Sequence, residues 1–226
     1  MRKFFIKGIC LLLLVGMGYA PVMAREKSKG SHGTKVFIVR HAEAYKNLPV
    51  RVPMSREKQD SLTPEGFKQA KKTGEYLKNR DVAVVVASPT GRTRQTAHII
   101  AQEIGLKGIF SENTAFRSTK QGANPDGSPA TWSWRKGQWN TGYDPRPQRG
   151  ESLQDAVNRA VQAVAVLIRQ YPEKGVVIVT HSDICAGLAG DAVNTPFHQR
   201  YQKHGVELGS VSEFVVYRNG DWIPVP

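Results

Sequence analysis

The sequence predicts an α/β fold, a mainly parallel sheet flanked by helices. Three short β-branched runs carry this expectation, at residues 35–39, 82–88 and 175–180. Runs that are apolar at nearly every position suit strands covered on both faces, the usual state of a parallel sheet. Helical stripes lie between them, and strands alternating with helices build such a sheet. Each run leads to residues with chemistry: Arg40-His41 after the first, Arg92 soon after the second, His181 after the third. Open α/β sheets bind ligands just beyond the carboxyl ends of their strands.

The helices follow in order. Thr63-Pro64-Glu65 is a helix start, with Thr at the cap and Pro at the first helical position. Phe67, Ala70, Gly74 and Leu77 then repeat at helical spacing, and Asn79 is a stop. Thr93, Thr96, Ala97, Ile100 and Ile104 mark a second amphipathic helix closed by Gly105. The clearest stripe is Leu153, Ala156, Val157, Ala160, Val164, Leu167 and Ile168, ended near Pro172. Small residues 186–190 predict a tightly packed helix after His181. Runs at 211–217 and 222–225 flank Asn219-Gly220, a hairpin signal. Residues 117–149 differ from the rest. They hold three of the four tryptophans among Gly, Pro and basic residues, with little periodicity. Such a stretch is either a satellite cluster capping the core or a long lid-like insertion over a substrate.

The ends of the chain carry their own signals. Arg2, Lys3 and Lys7 form a positive n-region, residues 9–15 an apolar core, and Val22-Met23-Ala24 a small-residue cleavage site. This pattern predicts a secretory signal peptide over residues 1–24, with an uncleaved anchor as the alternative. Residues 25–34 read as a polar linker, and the folded domain as 35–226. Cleavage implies a periplasmic or secreted protein with no stable membrane insertion. It also leaves Cys185 as the sole cysteine, so no internal disulfide is expected, and Cys185 suits a small buried core position. The net charge of +13 falls to +10 without the first 24 residues. Its Lys and Arg are dispersed, as at Lys68, Lys71, Lys72 and Lys78, rather than gathered with aromatics, so no nucleic-acid partner is expected. No Cys/His cluster has metal spacing, so neither metal nor cofactor is expected. No oligomeric state is implied.

Two arginines and two histidines at strand ends point to phosphate. A phosphoryl group brings about two negative charges, which Arg matches bidentately at any physiological pH. A neutral imidazole can attack phosphorus if its other ring nitrogen holds a proton against an acceptor. A second, protonated histidine would clamp the transferring oxygens, and Asn47 with nearby backbone N–H groups would add neutral donors. The partner is therefore a small phosphorylated substrate or phosphate.

Residues 40–47, Arg-His-Ala-Glu-Ala-Tyr-Lys-Asn, resemble the Arg-His-Gly-Glu signature of the histidine phosphatase superfamily, in its phosphoglycerate-mutase-like branch. Four further segments match in order: Leu62-Thr63-Pro64-Glu65-Gly66, Ser88-Pro89-Thr90-Gly91-Arg92, Gly150-Glu151-Ser152-Leu153 and Val179-Thr180-His181. The Arg-His-Ala-Glu-Ala run also resembles bacterial phosphohistidine phosphatases. The resemblance implies that His41 is the phosphorylated nucleophile and that Arg40, Arg92 and His181 complete a phosphate pocket. The region after Gly105 departs from the family, lacking its Leu-x-Glu, where the proton donor usually sits. Glu112, after the run 108–111, is the first candidate for that acid and Asp183 the second. The function expected is an exported phosphomonoesterase acting through a phosphohistidine. The alternatives are a phosphotransferase or mutase of the same family, or a weakly catalytic module that binds phosphorylated ligands.

Overall fold

A computed structural model describes residues 33–49, 52–106, 108 and 110–226. The expected signal peptide and nearly all of the linker lie outside these residues. The first strand, β1 (Thr34–Arg40), includes the last residue assigned to that linker. The other strands are β2 (Val82–Ala87), β3 (Ser111–Glu112), β4 (Gly175–Thr180), β5 (Val211–Val216) and β6 (Trp222–Pro224). They form one sheet in the order β3-β2-β4-β1-β5-β6. The pairs β3–β2, β2–β4 and β4–β1 are parallel, and β5 and β6 add an antiparallel edge.

Side chains alternate across this sheet, so its central strands feed two cores at once. Val36, Ile38, Val176 and Ile178 face α5 (Leu153–Gln170) and α6 (Ser182–Ala192). Phe37, Val39, Val177 and Val179 face α2 (Pro64–Leu77) and α3 (Gly91–Glu103). The expected α/β class with a mainly parallel, helix-flanked sheet is what the chain adopts. The small residues of α6 have a packing reason. A Cβ on Gly187 would overlap Val157 of α5, so glycine lets the two helices close up.

The helix signals act as expected. The Thr63 side chain accepts from the Gly66 N–H at 3.0 Å, and Ser152 accepts from Asp155 at 3.1 Å. Asn79 and Gly105 both lie at positive φ, 70° and 85°, where their helices stop. Three helices had no periodic signal: α1 (Arg56–Gln59), α4 (Trp132–Asn140) and α7 (Phe197–Lys203). The segment 117–149 is thus partly helical rather than loop. Trp139 is buried in the core beside α5, and Trp132 lies edge-on to Trp139 and to Tyr201 of α7. Arg135, also on α4, is fully buried and donates to the carbonyls of Glu151, Lys120 and Gln121 at 2.8, 2.5 and 2.9 Å. One buried guanidinium thereby fixes the backbone of residues 120–121. No described helix is long and apolar enough to cross a membrane.

Candidate active site

The strand order reverses around β4, with β1 on one side and β2 on the other, and a crevice opens beyond their carboxyl ends. A cavity of about 720 Å³ lies there. Arg40, His41, Arg92, His181 and Asn47 all line it, so five of the six expected site residues converge. The cavity's other walls come from Lys46, from Gln59 at the end of α1, from Ser118, Thr119 and Gln121, and from Trp132 at the start of α4.

Backbone bonds set the floor. The N–H of His41 donates to the Thr180 carbonyl at 2.9 Å, and that of Ser88 to Val179 at 2.9 Å. The ends of the three parallel strands are thus stitched together. The N–H of Ala42 donates to the Thr96 hydroxyl at 3.1 Å, and that hydroxyl donates to the Arg92 carbonyl at 2.7 Å. Behind this turn, α2 comes so close that a Cβ on Gly66 would overlap the Glu43 carbonyl oxygen. Helices α3 and α6 both begin at the crevice, and their exposed N–H ends add positive potential suited to an anion.

His41 is buried, with Nδ1 2.8 Å from the Ala42 carbonyl. A carbonyl only accepts, so Nδ1 carries the proton and Nε2 keeps its lone pair. Burial, reinforced by the charge of Arg92 and then of Arg40, pushes the His41 imidazole down to about 3. The ring is therefore neutral at ordinary pH. Its centroid lies 5.6 Å from that of His181.

His181 does not offer a spare proton to the crevice. Arg92 donates to its Nδ1 at 2.9 Å, so the remaining proton is on Nε2, 2.7 Å from the Ser88 hydroxyl oxygen. Burial and the Arg92 charge hold its pKa well below the ordinary histidine range. The protonated clamp expected from sequence is replaced by a neutral ring that orients a guanidinium. Arg92 also pairs with Asp60, whose other oxygen accepts from the Gly91 N–H at 2.6 Å. Arg40 donates to the Val206 carbonyl at 2.6 Å. Both guanidinium groups line the cavity and keep N–H donors beyond these bonds for an arriving anion. Asn47 Oδ1 accepts from the Ala44 N–H at 3.0 Å, so the side chain caps its own turn and its amide nitrogen is what remains for a ligand.

Glu112 is not part of this site. It sits on the two-residue edge strand β3, half-exposed, 3.6 Å from Arg94, and faces a separate hollow formed with Phe67 and His98. The strand ends too soon and too far out to turn its side chain to the crevice. Asp183 lies closer but is fully buried in the first turn of α6. Its Oδ2 accepts from the Ser118 hydroxyl at 2.8 Å, the Thr119 N–H at 2.8 Å and the Thr119 hydroxyl at 3.0 Å. It anchors one wall of the cavity instead of entering it.

The sequence reading had missed Lys46, Gln59, Ser118, Thr119 and Trp132 as cavity residues, and Ser88 as the partner of His181. Lys46 and Ser88 lie inside quoted motifs, and Ser118, Thr119 and Trp132 inside the stretch 117–149 read as a lid or a satellite cluster; Gln59 carries no signal. No described group of three His, Cys, Asp or Glu side chains could hold a metal ion.

The family model described as histidine phosphatase superfamily (branch 1) matches residues 36–224. The chain is 33% identical over 144 residues to a phosphoglycerate mutase of Schizosaccharomyces pombe, over 59% of this chain and 68% of that one. It is 27% identical over 195 residues to a probable phosphoglycerate mutase of Proteus mirabilis, over 84% of this chain and 87% of that one. Among solved structures, a mycobacterial glucosyl-3-phosphoglycerate phosphatase superposes with a TM-score of 0.67 at 22% identity, over 84% of this chain and 96% of that one. A phosphoserine phosphatase from Entamoeba histolytica does so with a TM-score of 0.64 at 20% identity, over 85% and 95%. At these identities the solved structures share the fold.

Proposed function

Because the chain belongs to the histidine phosphatase superfamily, branch 1, whose chemistry is phosphoryl transfer through a phosphohistidine, we propose that it is an exported phosphomonoesterase with His41 as its nucleophile. The observation that carries this reading is the Nδ1–H of His41 held on the Ala42 carbonyl. That bond leaves the Nε2 lone pair for in-line attack on phosphorus. The depressed pKa keeps the lone pair available at neutral pH.

The remaining guanidinium donors of Arg40 and Arg92 would receive the phosphoryl oxygens and stabilise the charge that builds at the transition state. An arriving phosphate would draw Arg92 toward it and favour a proton on His181, so the neutral ring becomes a second donor only when substrate is bound. Attack forms the Nε2–P bond and releases the leaving oxygen. Water then adds to phosphorus, the N–P bond breaks, and orthophosphate departs. The segment 117–149, which supplies Ser118, Thr119 and Trp132 to the wall, would close over the substrate.

The amino-terminal charge, apolar run and small-residue site support export and a mature chain from Arg25. The test is brief incubation with a labelled aryl phosphate, then analysis of the denatured protein. An acid-labile, base-stable adduct on His41 is expected, and a label that persists in His41→Asn would refute the assignment. The relatives' names favour a second reading, a mutase that returns the phosphoryl group to another hydroxyl. Release of free phosphate with no isomerised product separates the two.

A further inference from the structure

The cavity is lined by cations, hydroxyls and amides, and no carboxylate lines it among the described residues. An alkoxide is a poor leaving group at neutral pH, and an ordinary phosphate ester therefore calls for a positioned acid, a contribution of about 10²–10⁴ in rate. Each nearby carboxylate has another task. Asp60 has both oxygens engaged, by Gly91 and Arg92. Glu43 accepts from the Thr63 hydroxyl at 2.6 Å. Burial alone would raise the Glu151 carboxyl, but hydrogen bonds from Arg159 and Lys120, with the Arg159 and Arg117 charges, hold it below the usual range. Asp183 is buried behind Ser118 and Thr119, and Glu112 faces another hollow. Glu26 lies outside the described residues.

The remaining wall suits a leaving group of another kind. Lys46, Gln59, Gln121, Ser118 and Thr119 can each donate a hydrogen bond, and Trp132 is the one large apolar side chain among the lining residues. A surface of donors without an acid stabilises an oxygen that departs as an anion and stays one.

We infer that the preferred substrate is a phosphoanhydride, from which the enzyme removes the terminal phosphoryl group of a diphosphate, in preference to an alkyl phosphate ester. The inference rests on the phosphohistidine reading above. His41 Nε2 bonds to the terminal phosphorus as the P–O bond to the bridging oxygen breaks. The electron pair leaves on that oxygen: a departing phosphate monoester, with a second pKa of about 6, requires no proton at pH 7, and the orthophosphate released from pyrophosphate leaves with the proton that the pyrophosphate already carries. Water then supplies its oxygen to phosphorus and the Nε2 lone pair is restored. One water proton stays with orthophosphate and the other is released to solvent.

The experiment compares kcat/KM for inorganic pyrophosphate, p-nitrophenyl phosphate and glycerol 3-phosphate on the purified protein, with the His41 adduct followed in parallel. Pyrophosphate is expected to exceed glycerol 3-phosphate by at least about 10²-fold, the span of a missing general acid. A smaller gap overturns the inference. So does rapid turnover of p-nitrophenyl phosphate with none of pyrophosphate. If glycerol 3-phosphate is turned over rapidly and Ser118→Ala or Asp183→Asn abolishes that rate alone, the buried Asp183 delivers a proton through Ser118, and the inference is again overturned. In each of these cases the His41 adduct forms and the phosphohistidine reading stands. Absence of the adduct with every substrate defeats that reading, and the inference falls with it.

Discussion

Mild acid should destabilise this protein well above the range in which carboxylates titrate. The unfolded chain binds protons at His41 and His181 with a pKa near 6.5, while the native chain, with His41 at about 3 and His181 also well depressed, binds almost none. Folded values lower than unfolded ones mean that the stability is fully present above pH 6.5 and is lost as pH falls toward 3. Between pH 7 and pH 5, His41 alone lowers the unfolding free energy by about 1.9 kcal/mol, and His181 adds to that loss with the same sign. That is a large share of the ~5–15 kcal/mol typical of a domain. His204, closer to the surface and lowered chiefly by partial burial, adds a smaller increment of the same sign. The assay is urea unfolding at half-unit steps from pH 7 to pH 5 in phosphate-free buffer, since an anion bound to the native state would mask the effect. His41→Asn should remove about 1.9 kcal/mol of this pH dependence. A stability flat to within 1 kcal/mol across this window, or a slope unchanged in His41→Asn, would refute neutral burial of the two rings.

Other consequences are direct. Arg135→Met leaves the Lys120, Gln121 and Glu151 carbonyls without their donor; it should cost roughly 3 kcal/mol in urea unfolding and raise KM through the slackened 118–121 wall. Gly66→Ala forces the Glu43 carbonyl to move, so a loss of about 1–3 kcal/mol with a fall in kcat is expected, read by unfolding and by steady-state kinetics. Burial pushes the Cys185 thiol far above its ordinary range, so a thiol reagent should leave the native protein unmodified. After denaturation the same titration reports export: one thiol if residues 1–24 have been removed, two if Cys10 remains.

What was legible in the sequence shares a physical trait. Strands β1, β2 and β4 are short apolar runs, and residues fixed to their ends had to share one edge of the sheet, so Arg40, His41 and His181 converge. Thr63-Pro64 and Ser152 showed themselves because caps act within a few residues. Helix α4 did not, because its fully buried side chain is Arg135, and a stripe search reads arginine as the outside of a helix. Helix α1 spans only Arg56–Gln59, all polar. Glu112 was misplaced because reaching the crevice depends on where the chain turns after a two-residue strand. The Asp183–Ser118 contact joins segments far apart in sequence, and neither side carries a local signature.

The stitching of three strand ends also has a kinetic meaning. Val36 pairs with Val176, and Val39 pairs with both Val179 and Val211, so the strand that carries His41 finds its neighbours only after most of the chain is available. Loop closure over such separations is slow relative to forming local helices, and contacts of this order set folding rates. Helices α2 and α3, neighbours in sequence, can pair early, but His41 and His181 meet last. A chain still being synthesised, or threaded unfolded across a membrane, therefore holds no working phosphate pocket. On the proposed function, activity arrives with completed folding, on the far side if the chain is exported, and its recovery on refolding would serve as a clock for the final closure of the sheet.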